Sequence, residues 1–197
     1  WLSRLITVEW GGIPGPKIGQ KIHPKNSVFG HPRLKFTEKY PNLAYIESDL
    51  PEVINFKTEM IPLKRDNHIL KPFNVIDDDI FMFDEYIYNP KTIMVAEGVM
   101  FYLRKNEMLY FLENIMRFLR LQGDGYFIFD AMHWEDETLT IRSMRKILVP
   151  LLKLENAPWP NFQDYHDGRN TLETKGFRVV GFEKKGKINI YTAAISQ

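Results

Sequence analysis

Apolar and polar positions settle into two alternating patterns from about residue 34 onward. Short apolar runs, Leu43 to Ile46, Thr92 to Ala96 and Tyr126 to Phe129, read as buried strands. Between them, apolar positions recur at helical spacing. Met108, Leu112, Ile115 and Leu119 form a stripe that Leu109, Phe111 and Met116 widen, and Gly123 is its expected stop. Pro51 suits the first turn of a helix running to about Lys64, with Val53, Ile54, Met60 and Ile61 as core contacts. Ile69 to Ile76 predicts a strand interrupted by Pro72, and Asp77-Asp78-Asp79 opens a short helix through Ile80, Phe81, Phe83 and Tyr86. Leu34 to Tyr40 reads as a helix end closed by Pro41-Asn42. Ile141 to Leu154 predicts a surface helix, Trp159 to His166 an irregular aromatic stretch, and the segment ending at Gly176 a further helix. Phe177 to Phe182 and Ile188 to Ile195 flank Lys184-Lys185-Gly186 as a closing hairpin. Strands alternating with helices predict a mostly parallel α/β sheet, with one antiparallel strand added by the hairpin.

Two of these strands end in acids. Tyr45-Ile46-Glu47-Ser48-Asp49 closes one, and Val95-Ala96-Glu97-Gly98 closes another. In open α/β sheets ligands bind at that edge, so the two acids predict one shared cleft. The 197 residues fit a single domain over 1–197. Residues 11 to 33, rich in Gly, Pro, Lys and His, show no apolar period, and 1–33 reads as an irregular or truncated N-terminal cap. A net charge of +1 argues against a broad phosphate-binding face and so against nucleic acid as a partner. The absence of cysteine removes disulfides and thiolate chemistry and fits a reducing compartment. No apolar run approaches the ~20 residues of a membrane span, and nothing resembles a signal peptide, so a cytoplasmic location is expected. A start at Trp1 rather than Met implies a fragment, a processed form or missing segments.

Candidate chemistry clusters after the strands. Asp49 is placed to accept ribose hydroxyls, or to cap the helix that begins at Pro51. Glu97 at the end of a buried strand needs a cationic ligand group or a nearby Lys or Arg. Asn74-Val75-Ile76-Asp77 offers an amide for an adenine edge and apolar atoms for its face, or a simple turn and N-cap. Asp130-Ala131-Met132-His133-Trp134 leaves the next strand towards a substrate pocket, with His133 either a base or a structural histidine. His166-Asp167 lacks a third ligand at a recognisable spacing, so no metal is expected.

Tyr45-Ile46-Glu47-Ser48-Asp49-Leu50-Pro51-Glu52-Val53-Ile54, with Lys57 following, resembles the second motif of the leucine carboxyl methyltransferase and polyketide O-methyltransferase family. Glu97-Gly98-Val99-Met100-Phe101-Tyr102-Leu103 is similar to its fourth, and Phe177 to Ile195 resembles the closing strand pair of class I methyltransferases. The resemblance covers about Phe36 to the C-terminus. It implies a Rossmann-like, seven-stranded sheet with helices on both faces that binds S-adenosylmethionine (SAM). It implies that Asp49 holds the ribose, that Asn74 and Val75 meet the adenine with Asp77 nearby, and that Glu97 and Gly98 lie beside the methionine part. Tyr102 would face the reacting centre or the substrate. One departure stands out. The glycine-rich turn of the family is expected about twenty residues before the acid, where the backbone approaches the cofactor closely. That region reads Asn26-Ser27-Val28-Phe29-Gly30-His31-Pro32, with Gly30 alone and no preceding strand.

The expected function is therefore SAM-dependent O-methylation of a small-molecule hydroxyl, polyketide-like, or of a carboxylate. Transfer from a sulfonium needs alignment and desolvation more than side-chain chemistry, and a phenol acceptor would add a base, for which His133 is the candidate. The rival is a catalytically degenerate relative that binds a ligand or a partner. A nicotinamide oxidoreductase would require a G-x-G-x-x-G turn, which the chain lacks. The sequence carries no signal for oligomeric state.

Overall fold

A computed structural model describes residues 4–9, 39–40, 43–60, 66–86, 92–123, 125–140, 143 and 160–195. Short apolar runs bounded by turn residues pair into one sheet. Its strands are β1 (Arg4–Glu9), β2 (Ala44–Asp49), β3 (His68–Pro72), β4 (Thr92–Glu97), β5 (Gly125–Ala131), β6 (Phe177–Lys185) and β7 (Ile188–Ile195). Their spatial order is β3-β2-β1-β4-β5-β7-β6. The first five run parallel, and β7 is antiparallel to both β5 and β6. Three α-helices are described, α1 (Pro51–Met60), α2 (Lys105–Leu121) and α3 (Tyr165–Thr174), with 3-10 turns at Ile80–Tyr86, Met100–Tyr102 and Trp134–Asp136.

The strand that the sequence reading found missing is present. It is β1, at Arg4–Glu9, in the segment assigned to an N-terminal cap. Its six residues, with Arg4 and Thr7 among the apolar ones, are too short to announce themselves by period. The two parallel neighbours that flank it define it. The predicted strand over Ile69–Ile76 shrinks to His68–Pro72, where Pro72 ends the strand rather than interrupting it. β3 is the sheet edge, where a proline sacrifices no ladder bond. The irregular stretch also contracts, because Tyr165 and His166 open α3, whose Asp164 side chain accepts from the Asp167 N–H at 2.9 Å. The expected helix over Ile141–Leu154 lies outside the described residues except at 143, and Gly30 lies outside them altogether.

α2 forms as its stripe predicts. Met108, Phe111, Leu112, Ile115, Met116, Phe118 and Leu119 are buried, and the Glu107 side chain accepts from the Arg104 N–H at the start. Gly123 ends it at φ 82°, a conformation that favours glycine. This helix packs on the side of the sheet that carries Met94, Ala96, Phe127, Phe129 and Tyr191. That aromatic core is stacked in layers, with Phe127 on Phe129 at 4.9 Å and Phe129 on Tyr191 at 5.2 Å between ring centroids. The opposite side carries Glu47, Asp49, Val95, Glu97, Ile128 and Asp130, since pleated strands alternate and paired residues share a side. α1 covers the β2 part of that side, with Lys57 reaching the acids.

A row of acids at the carboxyl edge

The register sets the geometry of the site. Val8 is level with both Ser48 and Ala96, and Ala96 with Phe129. One residue further along each strand come Asp49, Glu9, Glu97 and Asp130, four acids on four neighbouring strand ends. Strands stand about 4.8 Å apart, so Asp49 and Glu97 sit roughly 10 Å from one another on the same side of the sheet. The structure thus brings together the two acids that the sequence paired, and adds Asp130 as a third.

At the β2 end the acids are buried and compensated. Glu47, Asp49 and Lys57 are each only 1% exposed. Lys57 Nζ lies 2.8 Å from Glu47 Oε1 and 3.3 Å from Asp49 Oδ2. His68 Nε2 lies 3.1 Å from Glu47 Oε2, and Asp49 Oδ1 accepts from the Leu50 N–H at 2.8 Å. The Asp49 carboxylate thus anchors the backbone entering α1 through one oxygen and pairs with Lys57 through the other.

The β4 and β5 ends are built differently. Gly98 follows Glu97 at φ 70°, turning the chain so that its N–H donates to Asp130 Oδ1 at 2.8 Å. Burial pushes the Asp130 carboxyl above its ordinary range. The Gly98 N–H pulls it back, and the neighbouring Glu97 charge adds to the rise. Among the described residues neither Glu97 nor Asp130 forms an ion pair. A cavity of about 310 Å³ opens beside them, with Val95, Ile128 and Ile190 as apolar walls and Lys185 at its margin.

The remaining candidates fall in three places. Asn74 organises a turn: its Oδ1 accepts from the Ile76 N–H at 3.1 Å, and its Nδ2 donates to Asp77 Oδ2 at 2.7 Å. Val75 is buried in the core. Tyr102 is half-buried in the 3-10 turn after Gly98. His133 is buried among Phe162, Phe182 and Tyr191, with Nε2 2.8 Å from the Tyr191 hydroxyl. Burial holds its pKa below the usual imidazole value. Trp134 lines a second cavity, of about 410 Å³, beside the start of α2, with Arg104 and Lys105 at its rim.

Sequence reasoning missed three contributors. Asn161 ties two loops together, donating to the Met100 carbonyl at 2.6 Å and accepting from the Met132 N–H at 3.3 Å. Nothing in its isolated position announces this. Asp130 is the second: in the sequence it opens a pocket lining, but it also ends an apolar run as Asp49 and Glu97 do. The third is the sequence that follows β1. Glu9 is followed in sequence by Trp10-Gly11-Gly12-Ile13-Pro14-Gly15, which lie outside the described residues. An acid at a strand end followed in sequence by three glycines matches the pattern expected near Gly30.

No family model matches the chain, and no curated protein sequence matches it. Solved structures do share its fold. A structure described as a pericyclic reaction enzyme superposes with a TM-score of 0.60 at 14% identity, over 99% of this chain and 44% of that one. Human N-acetylserotonin methyltransferase in complex with SAM gives 0.56 at 15% identity, over 98% of this chain and 48% of that one. An O-methyltransferase family 2 protein from Planctomyces limnophilus in complex with apigenin gives 0.57 at 12% identity, over 97% and 51%. The chain spans about half the length of the solved structures it matches.

Proposed function

We propose that this protein is a SAM-dependent O-methyltransferase acting on a small molecule or an exposed carboxylate. The observation that carries the reading is the row of acids at the carboxyl ends of four adjacent parallel strands. SAM brings two positive charges, the sulfonium and the α-ammonium, and two ribose hydroxyls. Asp49 suits the hydroxyls, while Glu97, at the mouth of the 310 Å³ cavity beside Asp130, suits the ammonium. Gly98 lets the backbone pass close to the ligand. Asn74, Val75 and Asp77 would border the adenine. The Asn74 amide is already engaged with Asp77, so a backbone contact from that turn is the better expectation than side-chain readout. Several of the solved structures of this fold were determined with SAM or its demethylated product, which supports the cofactor assignment.

Methyl transfer is an in-line displacement: the acceptor oxygen forms the new C–O bond as the S–CH3 bond breaks and its electron pair returns to sulfur. The residues here contribute binding, alignment and exclusion of water. His133, buried and held on the Tyr191 hydroxyl, fits a positioning role better than that of a base reaching substrate. That favours a carboxylate acceptor, which is already ionised and needs no proton removed. Tyr102 and the cavity rimmed by Arg104, Lys105 and Trp134 would receive it.

Isothermal titration of the protein with SAM tests the reading. One-to-one binding is expected, weakened about tenfold or more in both Asp49→Asn and Glu97→Gln, since each loses a charge-assisted contact. An absence of heat with SAM, or binding indifferent to both substitutions, overturns it.

A further inference from the structure

We propose that His133 Nδ1, Glu135 Oε1 and Asp136 Oδ2 form a binding site for one first-row divalent cation, zinc being the best match. The three atoms lie within 4.8 Å of one another where β5 runs into the 3-10 turn Trp134–Asp136. This proposal does not depend on the methyl-transfer reading.

The decisive atom is His133 Nδ1. The side chain is 0% exposed, yet Nδ1 has no hydrogen-bond partner. Its nearest acceptors are Glu135 Oε1 at 3.6 Å and Asp136 Oδ2 at 3.9 Å, beyond hydrogen-bond reach. The ring cannot swing away to satisfy it. Nε2 is fixed 2.8 Å from the Tyr191 hydroxyl, and the imidazole lies parallel to the Phe182 ring at 6.0 Å. A buried, unsatisfied nitrogen aimed at two carboxylates is a costly arrangement for a structural histidine. A cation between the three atoms removes the cost.

The chemistry of the donors agrees. An imidazole nitrogen and two carboxylate oxygens are all groups that ligate first-row cations. Asn189 Nδ2 donates to Asp136 Oδ2 at 2.8 Å, which leaves that oxygen a second lone pair. Tetrahedral zinc with bonds near 2.1 Å places its ligands about 3.4 Å apart. Closure therefore needs only small movements, chiefly of Glu135, whose side chain is 51% exposed. One imidazole with two carboxylates favours zinc or its first-row neighbours over magnesium or calcium, which prefer oxygen alone.

Lys184 is the natural competitor. Its ammonium rests on Asp136 Oδ1 and supplies positive charge to the cluster. This gives the proposal an outcome that a purely structural cluster would not produce. The test is titration calorimetry of the intact protein with zinc chloride, with magnesium chloride as the comparison. The expected result is one zinc per chain and far weaker magnesium. Glu135→Gln, an exposed and conservative change, should weaken zinc about tenfold or more. Lys184→Met should tighten it several-fold by removing the competing charge. The proposal is overturned if zinc fails to bind at millimolar concentration, if magnesium binds as well as zinc, or if zinc affinity is the same in Glu135→Gln. It is likewise overturned if Lys184→Met fails to tighten binding.

Discussion

The two ends of the acid row solve the same problem in opposite ways. At β2, Glu47 and Asp49 are buried beneath α1 with a lysine between them, and a histidine takes the outer oxygen. At β4 and β5, Glu97 is exposed and Asp130 half-buried, and no side-chain cation among the described residues pairs with either. The residue types are alike and the register level is the same. What differs is whether the protein supplies the counter-charge. At β2 it does, so that end is pre-organised. At β4 and β5 none of the described residues does, and that end faces the 310 Å³ cavity.

The largest effect should come from dismantling the compensated end. Lys57→Met leaves two carboxylates buried without their cation and should cost about 3–5 kcal/mol, measured by urea denaturation. The matching change at the open end, Glu97→Gln, should lie within about 0.5 kcal/mol of wild type, as for an exposed side chain outside the core. Equal costs at the two ends would erase the distinction. Next in size is Tyr191→Phe. It removes the hydroxyl 2.8 Å from His133 Nε2 and leaves a second buried imidazole nitrogen unsatisfied, at about 1–3 kcal/mol. A loss no larger than that of an exposed substitution would show that the hydroxyl and the ring are not coupled.

The sequence made an acid at each end of this row legible and hid what surrounds them. Asp49 and Glu97 are readable because each terminates an apolar run just before a turn, and α2 because its stripe, Met108 to Leu119, spans about three turns. The separation of the two acids was not readable, since β1 lies between them and six mixed residues carry no period of their own. Lys57 appeared only as a position in a motif. Its role follows from the pairing of β2 with α1 in space. His133 shows the same limit more sharply. The rings that bury it, Phe162, Phe182 and Tyr191, arrive from three distant segments, so only the folded chain reveals that it sits in the core. Local pattern announces elements, whereas burial and counter-charge are properties of their assembly.

A predicted effect of the opposite sign sharpens the comparison most. Asp130 has its pKa raised on folding, mainly by burial. The folded state therefore holds that proton more tightly than the unfolded chain. Ionised Asp130 costs stability at every pH above its folded pKa, and the cost vanishes as pH falls below the ordinary carboxyl value of 3.8. Asp130→Asn keeps an oxygen to accept the Gly98 N–H but never ionises. It should therefore be more stable than wild type at neutral pH, by on the order of 1 kcal/mol or about 2–4 °C in Tm. The advantage should disappear on titration to acid. A variant less stable than wild type at neutral pH would mean that the β5 acid is compensated after all, and the two ends would no longer differ in kind. If the gain is found together with weaker SAM binding, the carboxylate is being kept at a cost to the fold for the sake of a ligand, as expected of a residue selected for function rather than stability.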